Sequence, residues 1–430
     1  MAAHKYNKTL PDPHSPDLIL SHPTSNEHIT IWTSTSALWA DSLTTLPLYI
    51  KESQRLATAP LARDGGLTTW ILVDGNRPAD QREILSSCET FRKRALTSDV
   101  EGNVVENIVH GVASVFCPEE YRGHGYGSRM MRELAKVLSS WQTGGDGGGK
   151  RCIGSILYSD IGKSYYAKLG WHADKSNTHV EFSPCAHPRS ALMIKDVRVT
   201  DLEALCKRDE TLLRKLMARP ASTTCTDARL RMTIIPDVEH MGWHLAKENF
   251  ACEHLFSGVV PQAKGAIAGD VVGSQVWAIW THRYYSRPPH HGGGDCVDSS
   301  SQQQTNNVLY ILRLVMEADE TASRLPSDAT KTFLEPAGNG EKYAQQMGYL
   351  KAVLQAAAAE AREWKLDVVK LWDPTPLVRG MLMKMGDLGC VEVEREDEGI
   401  ACGLWYDEQG EVLGGEEGMV WVNNEHYAWL

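Results

Sequence analysis

The segment VFCPEEYRGHGYGSRMMRELAKVL, residues 115–138, decides the fold. It joins the apolar, β-branched stretch NIVHGVASVFC (107–117), which predicts a strand, to SRMMRELAKVLSSW (128–141), which has apolar residues at helical spacing. Three glycines alternate with other residues in the turn between them, RGHGYG (122–127). Free backbone N–H groups at the start of a helix bind anions, and glycine lets a bulky ligand approach the backbone closely. The segment therefore predicts a phosphate-binding turn between a strand and a helix.

Spacing separates this turn from two other glycine-rich phosphate sites. A dinucleotide-binding turn needs G-x-G-x-x-G, whereas here the third glycine, Gly127, comes one residue early. A second run, TGGDGGGK (143–150), fits G-x-x-x-x-G-K, but Arg151 replaces the Ser or Thr that would bind Mg²⁺. That run also follows a predicted helix and precedes a strand, the reverse of the order in ATP-binding loops. We therefore expect only a surface turn at 143–150.

Composition and charge narrow the classes of protein that remain. The 430 residues carry a net charge of −11 and show no basic face, so no nucleic-acid partner is expected. The ten cysteines form no CxxC pair, and we expect free thiols and no metal site. The sequence has neither an apolar leader segment nor an apolar run of about 18 residues. These features predict a soluble, cytoplasmic protein without a membrane partner.

The turn at 122–127 resembles motif A (R-x-x-G-x-G) of the GCN5-related N-acetyltransferase (GNAT) superfamily, whose loop binds the pyrophosphate of acetyl-CoA. SYYAKLGWH (164–172) resembles motif B of the same superfamily, a short helix that ends in glycine and an aromatic residue. One departure is that three residues separate Pro118 from Arg122, where most members have two. The resemblance implies acetyl-CoA as co-substrate. It implies that the residues binding it are Val115, Phe116, Cys117, Arg122, Gly123, His124, Gly125, Tyr126, Gly127 and Ser128.

Flanking segments resemble a narrower family. LILSHPT (18–24), RLATAPLARDGGLTTWILVD (55–74) and SSCETFRKRAL (86–96) are similar to the fungal lysine N6-acetyltransferases of lysine catabolism. Those enzymes also carry a long C-terminal domain, as this chain does. The resemblance implies that the amine acceptor is free L-lysine and that the product is N6-acetyl-L-lysine.

The order of predicted elements repeats along the chain. Strand, long helix, strand and a short helix ending in glycine occur in 107–171, and the same order returns in the second half, without the arginine–glycine turn. We expect an α/β chain of α+β type with the GNAT fold, a mixed central sheet flanked by helices, and a degenerate second copy. Predicted strands are 67–74, 83–96, 107–117, 151–159, 276–286, 307–319 and 366–373, and predicted helices are 37–57, 128–141, 160–171, 341–364 and 374–386. The expected domains are an N-terminal extension at 1–30, a catalytic GNAT domain at 31–185 and a GNAT-like domain at 190–430 with a mobile loop at 286–307.

Acetyl transfer to an amine needs a polarised thioester carbonyl, a neutral amine and a proton for the leaving thiolate. In the GNAT pattern a backbone N–H at a kink in the fourth strand polarises the carbonyl, here within 115–117. The resemblance to motif B implies Tyr166 as the general acid, although Tyr165 is its neighbour. Glu89 is the expected general base, and it could equally bind the substrate ammonium. Glu119 and Glu120 fit an exposed loop better.

The acceptor side leaves more candidates. Strand alternation places Glu89 and Phe91 on one face, opposite Cys88 and Thr90. A zwitterionic acceptor also needs a cation for its carboxylate, and the candidates are Arg92, Lys93 and Arg94. The aromatic chain end, MVWVNNEHYAWL (419–430), is expected to dock near the cleft through Tyr427 and Trp429.

Two alternatives to lysine acetylation remain open at this point. A GNAT enzyme could act on another amine, such as a polyamine, a protein lysine or an antibiotic. A chain with this loop could also bind acyl-CoA without turnover. An acyl-enzyme on Cys117 is disfavoured, because no His/Asp pairing supports it.

Overall fold

The computed structural model describes residues 10–40, 45–144, 149–185, 194–220, 230–288, 307–319, 340–413 and 419–430. Most of the predicted loop at 286–307 lies outside these residues. The strands are β1 (Leu18–Ser21), β2 (Leu67–Asp74), β3 (Ser86–Ser98), β4 (Val104–Phe116), β5 (Cys152–Ser159), β6 (His172–Ala173), β7 (Thr178–Phe182), β8 (Ile194–Val197), β9 (Leu230–Ile234), β10 (Gly265–Ala268), β11 (Val276–Arg283), β12 (Val308–Met316), β13 (Val368–Trp372), β14 (Val391–Glu394), β15 (Ile400–Trp405) and β16 (Met419–Trp421). The helices are α1 (Ser25–Trp39), α2 (Leu46–Leu56), α3 (Tyr126–Leu138), α4 (Ser164–Ala167), α5 (Leu202–Met217), α6 (Val238–Leu255), α7 (Gly340–Glu363) and α8 (Pro376–Lys384).

The first sheet is built around β2, β3, β4 and β5. β2 pairs antiparallel with β3, and β3 pairs antiparallel with β4, whereas β4 and β5 run parallel. A parallel pair needs a crossover connection, and α3 supplies it. The apolar stripe of α3, which includes Met130, Leu134 and Leu138, is fully buried against one face of the sheet. The predicted strand–turn–helix order is confirmed.

The second sheet repeats this arrangement. β10, β11 and β12 pair antiparallel in sequence, and β12 pairs parallel with β13 through the crossover helix α7. Small residues on α7, including Ala357, Ala358 and Ala361, are fully buried, which lets the helix pack closely on the strands. The predicted internal repeat is therefore confirmed at the level of topology.

The two halves exchange strands, which the sequence did not reveal. β15, from the second half, lies between β5 and β6 in the first sheet. β7, from the first half, lies between β13 and β14 in the second sheet. β9 also joins the first sheet by pairing with β3, and β16 pairs with β9. Backbone pairing therefore crosses the predicted domain boundary, and the boundary itself stays a prediction.

Two helix predictions were wrong in their bounds. The predicted helix at 160–171 is shortened to α4, Ser164–Ala167. The predicted helix at 37–57 is two helices, and the first begins as early as Ser25. Thr24 accepts a hydrogen bond from the N–H of Glu27, and the Glu27 side chain accepts one from the Thr24 N–H, which forms a capping box. That T-x-x-E signal was readable in the sequence. Among the described helices, none is long and apolar enough to cross a membrane.

Candidate active site

The glycine turn begins α3 without a side-chain cap. Gly123 and Gly125 have φ of 78° and 88°, in the left-handed region that favours glycine. Gly125 is the N-cap residue and has no side chain that could accept a hydrogen bond from the first turn of the helix. The residues from Arg122 to Gly125 are exposed. An uncapped helix start beside an exposed cation fits the pyrophosphate of acetyl-CoA.

The two candidate tyrosines have different surroundings. The Tyr165 hydroxyl is 3.3 Å from Ser128 Oγ, at the first turn of α3. Tyr166 is 8% exposed and instead lines a large cavity between the two halves. Burial raises the pKa of Tyr166, so its hydroxyl stays protonated at neutral pH. Of the two tyrosines, only Tyr166 lines the cavity, and its role as proton donor stays a prediction.

β4 is kinked where its pairing changes. The pairing of β4 with β5 ends at Val112, although both strands continue beyond it. On its other side β4 contains a bulge relative to β3, and Ser114 within the bulge has φ of 53°, which is unusual for a residue other than glycine. Val115 lines the cavity, whereas Phe116 is buried. The expected kink in the fourth strand is present.

Glu89 lies opposite this kink. It pairs with Ala113 across the β3–β4 ladder, and Ser114 Oγ donates a hydrogen bond to Glu89 Oε2 at 2.9 Å. Burial raises the pKa of Glu89, while the hydrogen bond from Ser114 and the charge of Lys247 oppose that rise. A carboxylate with a raised pKa is a stronger base, which suits removal of a proton from an ammonium group. Glu119 and Glu120 are exposed.

The cavity has a volume of about 1740 Å³ and is walled by both halves. The face of β3 that carries Glu89 is turned toward the second half: the Phe91 ring lies 4.9 Å from the Trp243 ring of α6, and Lys93 Nζ donates to the Ala428 carbonyl at 2.9 Å. The predicted strand alternation is consistent with this contact.

The chain end lines the same cavity. Trp429 and Leu430 are among its lining residues, and Tyr427 is fully buried beneath them, with its hydroxyl donating to the Ile234 carbonyl at 2.6 Å. The expected docking of the aromatic chain end is confirmed for Trp429, which lines the cavity, whereas Tyr427 packs into the core against β9.

A buried ion-pair cluster positions this chain end. Arg313 on β12 donates to both oxygens of Asp209, at 2.7 and 2.9 Å, and also forms an ion pair with Glu425. The second carboxylate oxygen of Glu425 accepts from the N–H of Leu314 at 2.8 Å. All three charged side chains are about 97% buried. Because Glu425 directly precedes the lining segment, the cluster fixes where that segment enters the cavity.

The cations that β3 offered for the acceptor carboxylate do not line the cavity, and their role stays a prediction. Lys93 is buried against the chain end, and burial lowers its pKa to about 7. Arg94 pairs with Glu106 and Glu210 on the protein surface. Neither these two nor Arg92 line the cavity. The cations that do line it all lie in the second half, far along the chain from β3: Lys247, Arg283, Arg287, Lys370 and Arg395.

Cys117 has the environment of a packing residue. Its Sγ lies 3.4 Å from the Leu85 carbonyl, and burial raises the pKa of its thiol. A thiol with a raised pKa is a poor nucleophile at neutral pH, in agreement with direct attack. Within the described residues, no group of three or more His, Cys, Asp or Glu side chains is arranged to hold a metal ion.

Comparison with known proteins adds the family. Residues 179–430 match the model of the LYC1 GNAT-like C-terminal domain. A lysine acetyltransferase of Yarrowia lipolytica is 25% identical over 270 residues, which cover 55% of this chain and 65% of that protein. The match therefore spans less than two thirds of that relative's length.

Two solved structures were also similar. GCN5-related N-acetyltransferases from Kribbella flavida and Anabaena variabilis superpose on 92% and 90% of this chain, and on 72% of each of theirs, with TM-scores of 0.46 and identities of 14% and 11%. Scores this low do not establish a fold, and the family match carries the assignment. The chain belongs to the LYC1 GNAT-like family, and its two sheets form a tandem GNAT fold.

Proposed function

We propose that this protein transfers the acetyl group of acetyl-CoA to an amine, and that the amine is the ε-amine of free L-lysine. The observation that carries the proposal is that Glu89, the kink at Ser114 and Tyr166 line one cavity. In the proposal, residues 31–185 carry the reaction and residues 190–430 complete the acceptor side. The proposed setting is lysine degradation in the cytoplasm.

The chain's own residues have distinct roles in this reaction. The turn 122–128, with 115–117 just before it, binds and orients acetyl-CoA, which supplies the thioester. A lysine ammonium has a pKa of about 10.4, so it needs a base before it can attack. Glu89 accepts that proton, directly or through water. Backbone N–H groups at the kink stabilise the negative charge that develops on the carbonyl oxygen, and Tyr166 donates its proton to the departing thiolate sulfur.

The choice of lysine is supported by the Yarrowia relative, whose name states a lysine acetyltransferase, and by the resemblance of 18–24, 55–74 and 86–96 to fungal lysine N6-acetyltransferases. Of the two carboxylates that line the cavity near Tyr49, Glu52 lies 3.8 Å from Lys247, so Glu89 is the one proposed to contact the substrate ammonium.

The test is release of free thiol from acetyl-CoA in the presence of a panel of amines. We expect turnover with L-lysine and not with a histone peptide or spermidine. Turnover with spermidine or the peptide alone would support another GNAT reaction. Binding of CoA without turnover on any amine would support a binding protein instead.

A further inference from the structure

Gly111 of β4 marks a point where the two halves interlock. A Cβ atom placed on Gly111 would lie 2.5 Å from Cε of Lys93 and 3.2 Å from Cδ1 of Leu430. The first distance is shorter than non-bonded carbon atoms approach, so a residue larger than glycine would displace one of these side chains. The glycine therefore leaves room for Lys93, from the first half, and Leu430, from the chain end, to pack against the same position of β4.

Lys93 uses this room to hold the chain end. Its side chain is 1% exposed, and its Nζ donates to the carbonyl oxygen of Ala428 at 2.9 Å. Burial lowers the pKa of Lys93 to about 7, but the ammonium and the neutral amine both carry N–H groups, so either form can donate. Nε2 of His244, on α6, lies 3.2 Å from the carbonyl oxygen of Tyr427. Two consecutive carbonyls of the chain end are therefore fixed, one from each half.

The residues that follow these carbonyls form part of the cavity wall. The Trp429 ring is stacked with the His244 ring, with centroids 6.5 Å apart and an interplanar angle of 24°. Both Trp429 and Leu430 line the cavity. Because Ala428 directly precedes them, its hydrogen bond with Lys93 fixes the position of both side chains.

Leu430 extends this wall along β4. It packs on the apolar cluster around Phe91, and Ala113 packs on the same cluster. Gly111 and Ala113 lie on the same face of β4, and Ala113 pairs with Glu89 across the β3–β4 ladder. Ala113 and Glu89 also line the cavity. The chain end therefore adds an apolar surface to the cavity beside the strand position opposite Glu89.

We propose that Lys93 is a positioning residue for the acceptor: it holds the chain end so that Trp429 and Leu430 contact the alkyl stem of the amine. This inference rests on the proposed function and adds the acceptor wall to it. The alkyl stem of an amine such as lysine leaves water when it packs on an apolar wall, which favours binding. Of the described residues 122–128 in the glycine turn, none lines this cavity. Lys93 should therefore affect binding of the amine and not of acetyl-CoA.

Calorimetric titration of L-lysine into the protein saturated with CoA tests this role without turnover. Lys93→Met removes the donor and keeps most of the length of the side chain, and Leu430→Ala removes the apolar contact. We expect each to weaken lysine binding about fivefold or more, with an unchanged KM for acetyl-CoA in the thiol-release assay. Lys195→Met is the matched control, since Lys195 is exposed on β8 and does not line the cavity, and it should change neither.

The double variant Lys93→Met/Leu430→Ala shows whether Lys93 acts through the chain end. If it does, the double variant binds lysine as weakly as the weaker single variant, within about twofold. Effects that multiply would overturn the positioning role, as would unchanged lysine binding in a folded Lys93→Met protein or an equal rise in the KM for acetyl-CoA. Circular dichroism reports folding. If Lys93→Met does not fold, Leu430→Ala decides alone, and unchanged lysine binding then overturns the wall.

The panel of amines separates this inference from the proposed function. If the wild type turns over another amine instead of L-lysine, the lysine assignment fails, and the same variants titrated with that amine test the wall. Absence of thiol release by the wild type with every amine would overturn the proposed function. A wild type that is active with L-lysine, together with variants that bind L-lysine normally, would overturn the wall alone.

Discussion

Replacing Glu89 by Gln tests the assignment of the base in the most informative way. The substitution keeps the shape of the side chain, and its amide oxygen can still accept the hydrogen bond that Ser114 donates at 2.9 Å. It also removes a buried carboxyl group whose pKa is raised by burial, so the fold should lose no stability. General bases contribute about 10²- to 10⁴-fold to rates. We therefore expect kcat with L-lysine to fall by at least about 100-fold, with an unchanged or higher unfolding midpoint.

The pH profile supplies the second half of this test. A base with a raised pKa loses its reactive form as pH falls through that pKa, so kcat/KM should fall on the acid side. Ser114→Ala removes an interaction that lowers the pKa of Glu89, and the acid limb should move to higher pH by about one unit. Thiol release from acetyl-CoA, followed across pH, measures both the acid limb of the wild type and its shift in Ser114→Ala. A Glu89→Gln enzyme that keeps near wild-type kcat and its acid limb, or an acid limb abolished by Glu52→Gln instead, would refute the reasoning.

Four further outcomes are expected. Tyr166→Phe should lower kcat at least tenfold and leave the KM for acetyl-CoA unchanged in steady-state assays, since only the proton donor is lost; a raised KM alone would contradict this role. Gly123→Ala adds about 1 kcal/mol of backbone strain at φ 78° with no steric clash, and should raise the KM for acetyl-CoA, while Gly144→Ala, also in open space, should not. Arg313→Met leaves the buried carboxylates of Asp209 and Glu425 unpaired. Urea unfolding should show a loss of about 3–5 kcal/mol of stability. A loss below about 1 kcal/mol would contradict a stabilising role of this cluster. The carboxylates of Glu248 and Glu360 raise the pKa of His282 and outweigh the effect of its burial. The stabilisation that His282 supplies is therefore complete below about pH 6.5 and is lost as pH rises through the folded pKa. We expect His282→Gln to cost more stability at pH 6 than at pH 9.

Local signals in the sequence predicted the elements that surround the glycine turn. β2 matches its predicted bounds, and the apolar stretch ending at Phe116 and the stripe of α3 are where expected. These elements follow from side-chain periodicity within one segment, so no partner needs to be known. Glu89 could be placed on the cavity face for the same reason, because strand alternation is local.

Non-local pairing could not be predicted in this way. The exchange of β7 and β15 depends on which edge of which sheet each strand meets, and two similar halves offer equivalent edges. The cations that line the cavity, among them Arg283 on β11 and Lys370 on β13, lie far along the chain from Glu89, so the local pattern of β3 could not point to them. Arg313, Asp209 and Glu425 are likewise brought together only by the fold.

The most direct test of the central claim is the identity of the product. The wild-type protein is incubated with acetyl-CoA and L-lysine, and the product is separated from N2-acetyl-lysine and identified by mass spectrometry with authentic standards. The account predicts N6-acetyl-L-lysine, formed in a one-to-one ratio with free CoA and lost in Glu89→Gln. Acetylation at the α-amine, or thiol release without any acetylated lysine, would contradict it.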